Sequence, residues 1–108
     1  MLRLALIREN VMLACGGTHE ELESRFAKWA ECDIEQVPHA RLGRADGRTL
    51  HGDGYFALWA ESARPSIVAH EAVHVSMKIL DQRGITLDEE LIAYMVQYIV
   101  REYLDAFA

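Results

Sequence analysis

Apolar residues alternate loosely with polar ones from Leu2 to Asn10, then run unbroken from Val11 to Cys15. That spacing is nearer two than 3.6 and predicts a strand within residues 2–15, ended by Gly16 and Gly17. Thr18 opens a helix, with Glu21 three positions on to complete a capping box. Leu22, Phe26, Trp29 and Ala30 come after it at helical spacing as far as Cys32. Residues 34–61 read as β-rich. Val37 to Leu42 can form one strand, Gly43, Gly47, Gly52 and Gly54 punctuate a flexible stretch, and Tyr55 to Glu61 is the strongest strand pattern in the chain. A second helix is expected from Arg64 to Gln82, with Pro65 in its first turn and Gly84 as its stop. Thr86 and Glu89 suggest a second capping box. Leu87, Leu91, Met95, Tyr98 and Ile99 carry an apolar stripe toward Leu104. The order β-α-β-β-α-α describes a single α+β domain over residues 1–108, with Phe26, Trp29 and Trp59 in its core.

The second helix contains His70-Glu71-Ala72-Val73-His74. Residues four apart share a helical face, so this HExxH sequence can offer two imidazoles to one metal ion. Glu71 adjoins the first ligand without being one, and is suited to take a proton from a water on the metal. Ile67 and Met77 extend the histidine face, so the imidazoles are expected to point inward, where a Zn2+ ion would satisfy both.

A catalytic zinc needs a third protein ligand and an open position. Asp88, Glu89 and Glu90 begin the third helix. Glu89 is expected to serve the Thr86 cap, which leaves Glu90 as the third ligand and Glu89 in reserve. The short loop Asp81 to Ile85 makes a helical hairpin, expected to set the histidines opposite the start of the third helix. Tyr94 is a candidate donor to the transition state, with packing as its plainer role. His39 and His51 either line the site or lie at the surface, and His19 fits the first turn of a helix without further function.

His70-Glu71-Ala72-Val73-His74, a fifteen-residue gap, then Glu90-Leu91-Ile92-Ala93-Tyr94 resembles the gluzincin pattern of HExxH followed by a metal-binding Glu with Ala three residues later. It is similar to short zinc metallopeptidases encoded by phages and prophages that end in this two-helix unit. The resemblance covers residues 55–104. It implies a zincin-like strand before the metal helix, zinc on His70, His74 and Glu90, Glu71 as base, and an extended peptide or protein substrate along strand 55–61. The gap is shorter than in large thermolysin-like enzymes, and no C-terminal lobe is present to form half a cleft. The competing expectation is a zinc-stabilised phage or prophage module that binds another protein without catalysis.

Composition narrows these readings. A net charge of −6 and the lack of a Lys or Arg run argue against nucleic acid as a partner. Arg41, Arg44 and Arg48 are expected in a solvated loop. Cys15 and Cys32 form no CxxC pair and read as thiols in a reducing compartment. Arg3 and Arg8 interrupt the apolar N-terminus, unlike a signal peptide, and no stretch approaches the roughly 20 apolar residues of a membrane span. The expected location is the cytoplasm of a bacterial host.

Overall fold

The computed structural model describes residues 1–7, 10–33 and 46–108. The alternating segment at the N-terminus makes two strands where one was expected. β1 (Arg3–Ile7) and β2 (Val11–Cys15) pair antiparallel, Ile7 opposite Val11 and Arg3 opposite Cys15. The polar Arg8-Glu9-Asn10 separates them in sequence. α1 (His19–Trp29) starts at the expected cap: Thr18 Oγ1 accepts from the Glu21 N–H, and the Glu21 carboxylate accepts from the Thr18 N–H. β3 (Gly47–His51) and β4 (Phe56–Ala60) pair antiparallel. The strand expected at Val37 to Leu42, with His39, Arg41 and Arg44, lies outside the described residues.

The four strands lie in the order β1-β2-β4-β3, with β2 and β4 parallel in the middle. Strand 55–61 was expected to offer an edge to substrate. Instead β4 is central, bonded on both sides, and all five of its residues are buried. An unbroken apolar run must be covered on both faces. Among the described residues, the edge strand beside the HExxH helix is β3.

Two helices cover one face of the sheet. α2 (Pro65–Gln82) and α3 (Glu89–Phe107) bring Val68, Ala72, Val75, Ile79, Ile99, Tyr103 and Phe107 onto Val11, Leu13, Phe56 and Leu58. On the other face, Leu22, Phe26 and Ala27 of α1 cover Met12, Ala14, Ala57 and Trp59, while Trp29 is only half-buried. The chain is thus an α+β domain of order β-β-α-β-β-α-α. Tyr103 spans the core and donates its hydroxyl to the Ala14 carbonyl at 2.6 Å. Burial, reinforced by the neighbouring Cys15 thiol, pushes that hydroxyl's pKa far above its ordinary value.

Three local expectations change. Asp88, not Thr86, caps α3, its side chain accepting from the Leu91 N–H at 2.9 Å. Glu89 is therefore not the partner in a capping box. Arg48 is no loop residue: it lies in β3 and reaches across to Glu23 of α1 at 2.6 Å, with side-chain exposures of 12% and 6%. His19 joins them, its Nδ1 lying 3.2 Å from the Arg48 guanidinium and its ring 4.8 Å from that of Trp59. Among the described residues, no helix is long and apolar enough to cross a membrane.

Candidate metal centre

α2 comes after β4 across a short turn, with Arg64 as its N-cap and Pro65 in its first turn, where the missing N–H costs nothing. Val68, Ala72, Val75 and Ile79 recur at helical spacing and take the inner face. That phase fixes the rest of the helix. Glu71 turns toward β3 and is buried, whereas His70 and His74 are exposed. The inward histidines expected from Ile67 and Met77 are not found. Ile67 is half-buried, Met77 is exposed, and the His70 side chain is 69% exposed.

The two imidazoles nonetheless meet. His70 Nε2 and His74 Nε2 are 3.3 Å apart, with ring centroids 5.0 Å apart and planes at 70°. Two lone pairs cannot face each other at that distance unless a proton or a cation lies between them. Two nitrogens bound tetrahedrally to zinc at ~2.0–2.1 Å would be about 3.3–3.4 Å apart. The pair therefore fits two ligand positions of such an ion.

Glu71 is seated by β3. Thr49 Oγ1 lies 3.0 Å from Glu71 Oε1 and 3.2 Å from the Glu71 carbonyl oxygen, able to donate to either. Glu71 Oε2 lies 4.0 Å from His70 Nε2. Gly47 makes this approach possible: a Cβ there would stand 2.9 Å from Glu71 Cγ and 2.6 Å from Ile67 Cγ2. Thr49 and Gly47 were not foreseen. The available signal was a glycine inside a strand, which often marks a close approach.

The remaining candidates are not gathered here. Among the described residues, no group of three or more His, Cys, Asp or Glu side chains is arranged to hold a metal. Glu90 is exposed in the first turn of α3. The α2–α3 hairpin brings Tyr94, Met95, Tyr98 and Ile99 beside Ile79 and Arg83, around one groove. Glu90 thus lies beyond the end of α2, while His74 is five residues before Ile79, about 7 Å along the axis. Tyr94 is 65% exposed in that same groove and is not brought to the histidines. His51 ends β3 and is exposed. His39 lies outside the described residues. Comparison with family models, curated proteins and solved structures returns no match.

Proposed function

We propose that the chain is a zinc-dependent hydrolase of peptide bonds, with His70 and His74 as metal ligands and Glu71 as general base. The observation that carries this is the facing Nε2 pair at 3.3 Å beside a buried, hydrogen-bonded glutamate. The ion, when bound, supplies Lewis acidity toward the scissile carbonyl and toward water. Glu71 accepts the proton of the attacking water on Oε2, the oxygen turned toward His70, while Thr49 holds Oε1. The same carboxyl then returns the proton to the leaving amine. General-base catalysis of this kind contributes roughly 10²–10⁴-fold.

The outer edge of β3 suits an extended peptide. Asp46 O accepts from Glu61 N, and Gly52 N donates to Tyr55 O, so the even-numbered residues of this strand bond to β4. By alternation, the amides of Gly47, Thr49 and His51 point away from the sheet. A substrate strand paired there would run past the Glu71 carboxylate, its backbone held by the ladder and its side chains chosen by what flanks it. Glu90 is assigned as third ligand on the motif alone. It reaches the pair only if the start of α3 leaves its present position. We place the activity in a reducing cytoplasm, in keeping with the unpaired thiols of Cys15 and Cys32, with neither nucleic acid nor membrane as partner.

Elemental analysis is the first test. Close to one zinc per chain is expected, falling sharply in His70→Ala and His74→Ala. Wild type that neither carries nor takes up zinc would end this proposal. Glu71→Gln should keep the metal and lose cleavage of any peptide found by library screening. Chelator competition of Glu90→Ala against Glu89→Ala examines the third ligand separately. The exposure of both histidines, with no third group gathered beside them among the described residues, favours a second reading, a zinc-stabilised protein-binding module. In that case Glu71→Gln would leave partner binding unchanged.

A further inference from the structure

We infer that the groove between α2 and α3 is a binding site for a small apolar carboxylate, a compact hydrophobic body whose single anionic group is held by Arg83. The inference does not depend on the metal site, which shares no residue with the groove.

The phase of α2 builds one side of it. Val68, Ala72, Val75 and Ile79 carry the inner face of that helix. Arg83 comes four residues after Ile79, so it continues the same face by one turn, and it lines the groove beside Ile79. Ile7 at the end of β1, Val11 at the start of β2 and Ile99 of α3 are buried and give an apolar floor. Tyr94 and Tyr98, one turn apart on α3, make the wall, 65% and 37% exposed. The space among these side chains is about 380 Å³. Small-molecule sites start near that size, and at ~30 Å³ for each water-sized group it has room for roughly a dozen. That suits a body the size of an aromatic side chain or a medium acyl chain.

Arg83 selects the charge of the occupant. Among the described residues its side chain has no ion pair and no hydrogen bond. The carbonyls that end α2, which a terminal arginine can serve, are already bonded: Ile79 O accepts from Arg83 N, Asp81 O from Gly84 N, and Leu80 O from Ile85 N. The guanidinium therefore brings its fork of donors to the rim of an apolar groove with no described acceptor for them. No second cation lines the groove among the described residues, so a single negative charge is matched. A carboxylate takes two parallel N–H bonds from one guanidinium. Two sources offer this chemistry, a free small acid and the C-terminal apolar residue of a peptide.

NMR titration of the isotope-labelled full chain tests this, with hydrocinnamate as the probe. Its Kd is expected on the order of 1 mM, ordinary for so small a ligand, with saturable shifts at Ile7, Ile79, Met95 and Ile99. Hydrocinnamamide, the neutral ligand of the same shape, should bind about tenfold more weakly, the loss of a charge-assisted pair. Arg83→Gln should weaken the acid by a similar factor and leave the amide unchanged, whereas Tyr94→Ala should weaken both alike. A short peptide ending in phenylalanine separates the sources: tighter binding than hydrocinnamate, lost on C-terminal amidation, assigns the groove to peptide ends, and weaker binding assigns it to free acids. Absence of saturable shifts at these residues well above that Kd would overturn the proposal, as would equal affinity of the wild type for acid and amide. So would a folded Arg83→Gln that binds the acid as the wild type does. The acid–amide comparison is made on the wild type and stands whatever the variant does.

Discussion

Replacing Gly47 with alanine adds one methyl group between β3 and α2. The new carbon would stand 2.6 Å from Ile67 Cγ2, 2.9 Å from Glu71 Cγ and 3.1 Å from Glu71 Oε2. Neither neighbour yields easily. Ile67 is β-branched on a helix and stiff at χ1, and Glu71 is tied to Thr49. Overpacking of this kind costs about 1–3 kcal/mol. Alanine also restricts the unfolded chain, which returns about 0.4–1 kcal/mol, so the net sign is destabilising. For a domain of this size each kcal/mol is worth on the order of 4–8 °C in Tm. Gly52 is the internal control: a Cβ there would meet only Phe26, at 3.9 Å. Thermal melts of Gly47→Ala and Gly52→Ala, read by circular dichroism, should separate clearly, with Gly47→Ala the lower. Zinc content of Gly47→Ala should hold, since the histidines point to solvent, while any hydrolysis should fall with the displaced carboxylate. If Gly47→Ala melts with wild type and Gly52→Ala, then Glu71 is not held where the structure has it.

The packing implies three further outcomes. Asp88→Ala should cost about 1 kcal/mol in denaturant melts while Thr86→Ala costs little, because the helix cap lies on Asp88. Glu23→Ala should be the more damaging change, up to about 3–5 kcal/mol, since it leaves the largely buried Arg48 beside α1 without that carboxylate; a wild-type midpoint would refute the ion pair's role. Tyr103 is neutral in the fold, with a pKa raised above its unfolded value near 10, so the stability it contributes is complete below that pH and drains away above it. Tyr103→Phe should lower stability at neutral pH through the lost bond to Ala14, and should flatten the alkaline decline in melts taken across that range.

Helices and their ends were largely legible in the sequence, because caps and 3.6-residue spacing are local signals. Thr18 with Glu21, and Pro65 with Gly84, each lie where their chemistry required. Strand neighbours were not, because pairing is decided at long range. One clue was available: five consecutive apolar residues from Phe56 to Ala60 require cover on both faces, which belongs to a central strand. At the site, the HExxH spacing did predict two imidazoles in contact. The inward tilt of the pair was misjudged because Val68, Ala72, Val75 and Ile79 already claim the buried side of α2. The opposition of Glu90 and His74 fails on hairpin arithmetic. His74 is eight residues from Gln82, so α3 must run back a similar distance before it draws level, well past Glu90.

The pairing of β2 with β4 also sets a clock. Val11 and Phe56 are partners in the central ladder, yet α1 and β3 are made between them. The β1–β2 hairpin can form early from neighbouring residues, but the second edge of β2 has nothing to pair with until β4 has been synthesised. Its inner face stays bare until Tyr103 reaches Ala14, across a separation of 89 residues. Loop closure of that reach is slow relative to helix formation. During the wait, Val11 to Cys15 is an unprotected apolar strand, the kind of segment that aggregates. Yield on expression should therefore respond to growth temperature and chaperone supply more than the stability of the finished domain would suggest.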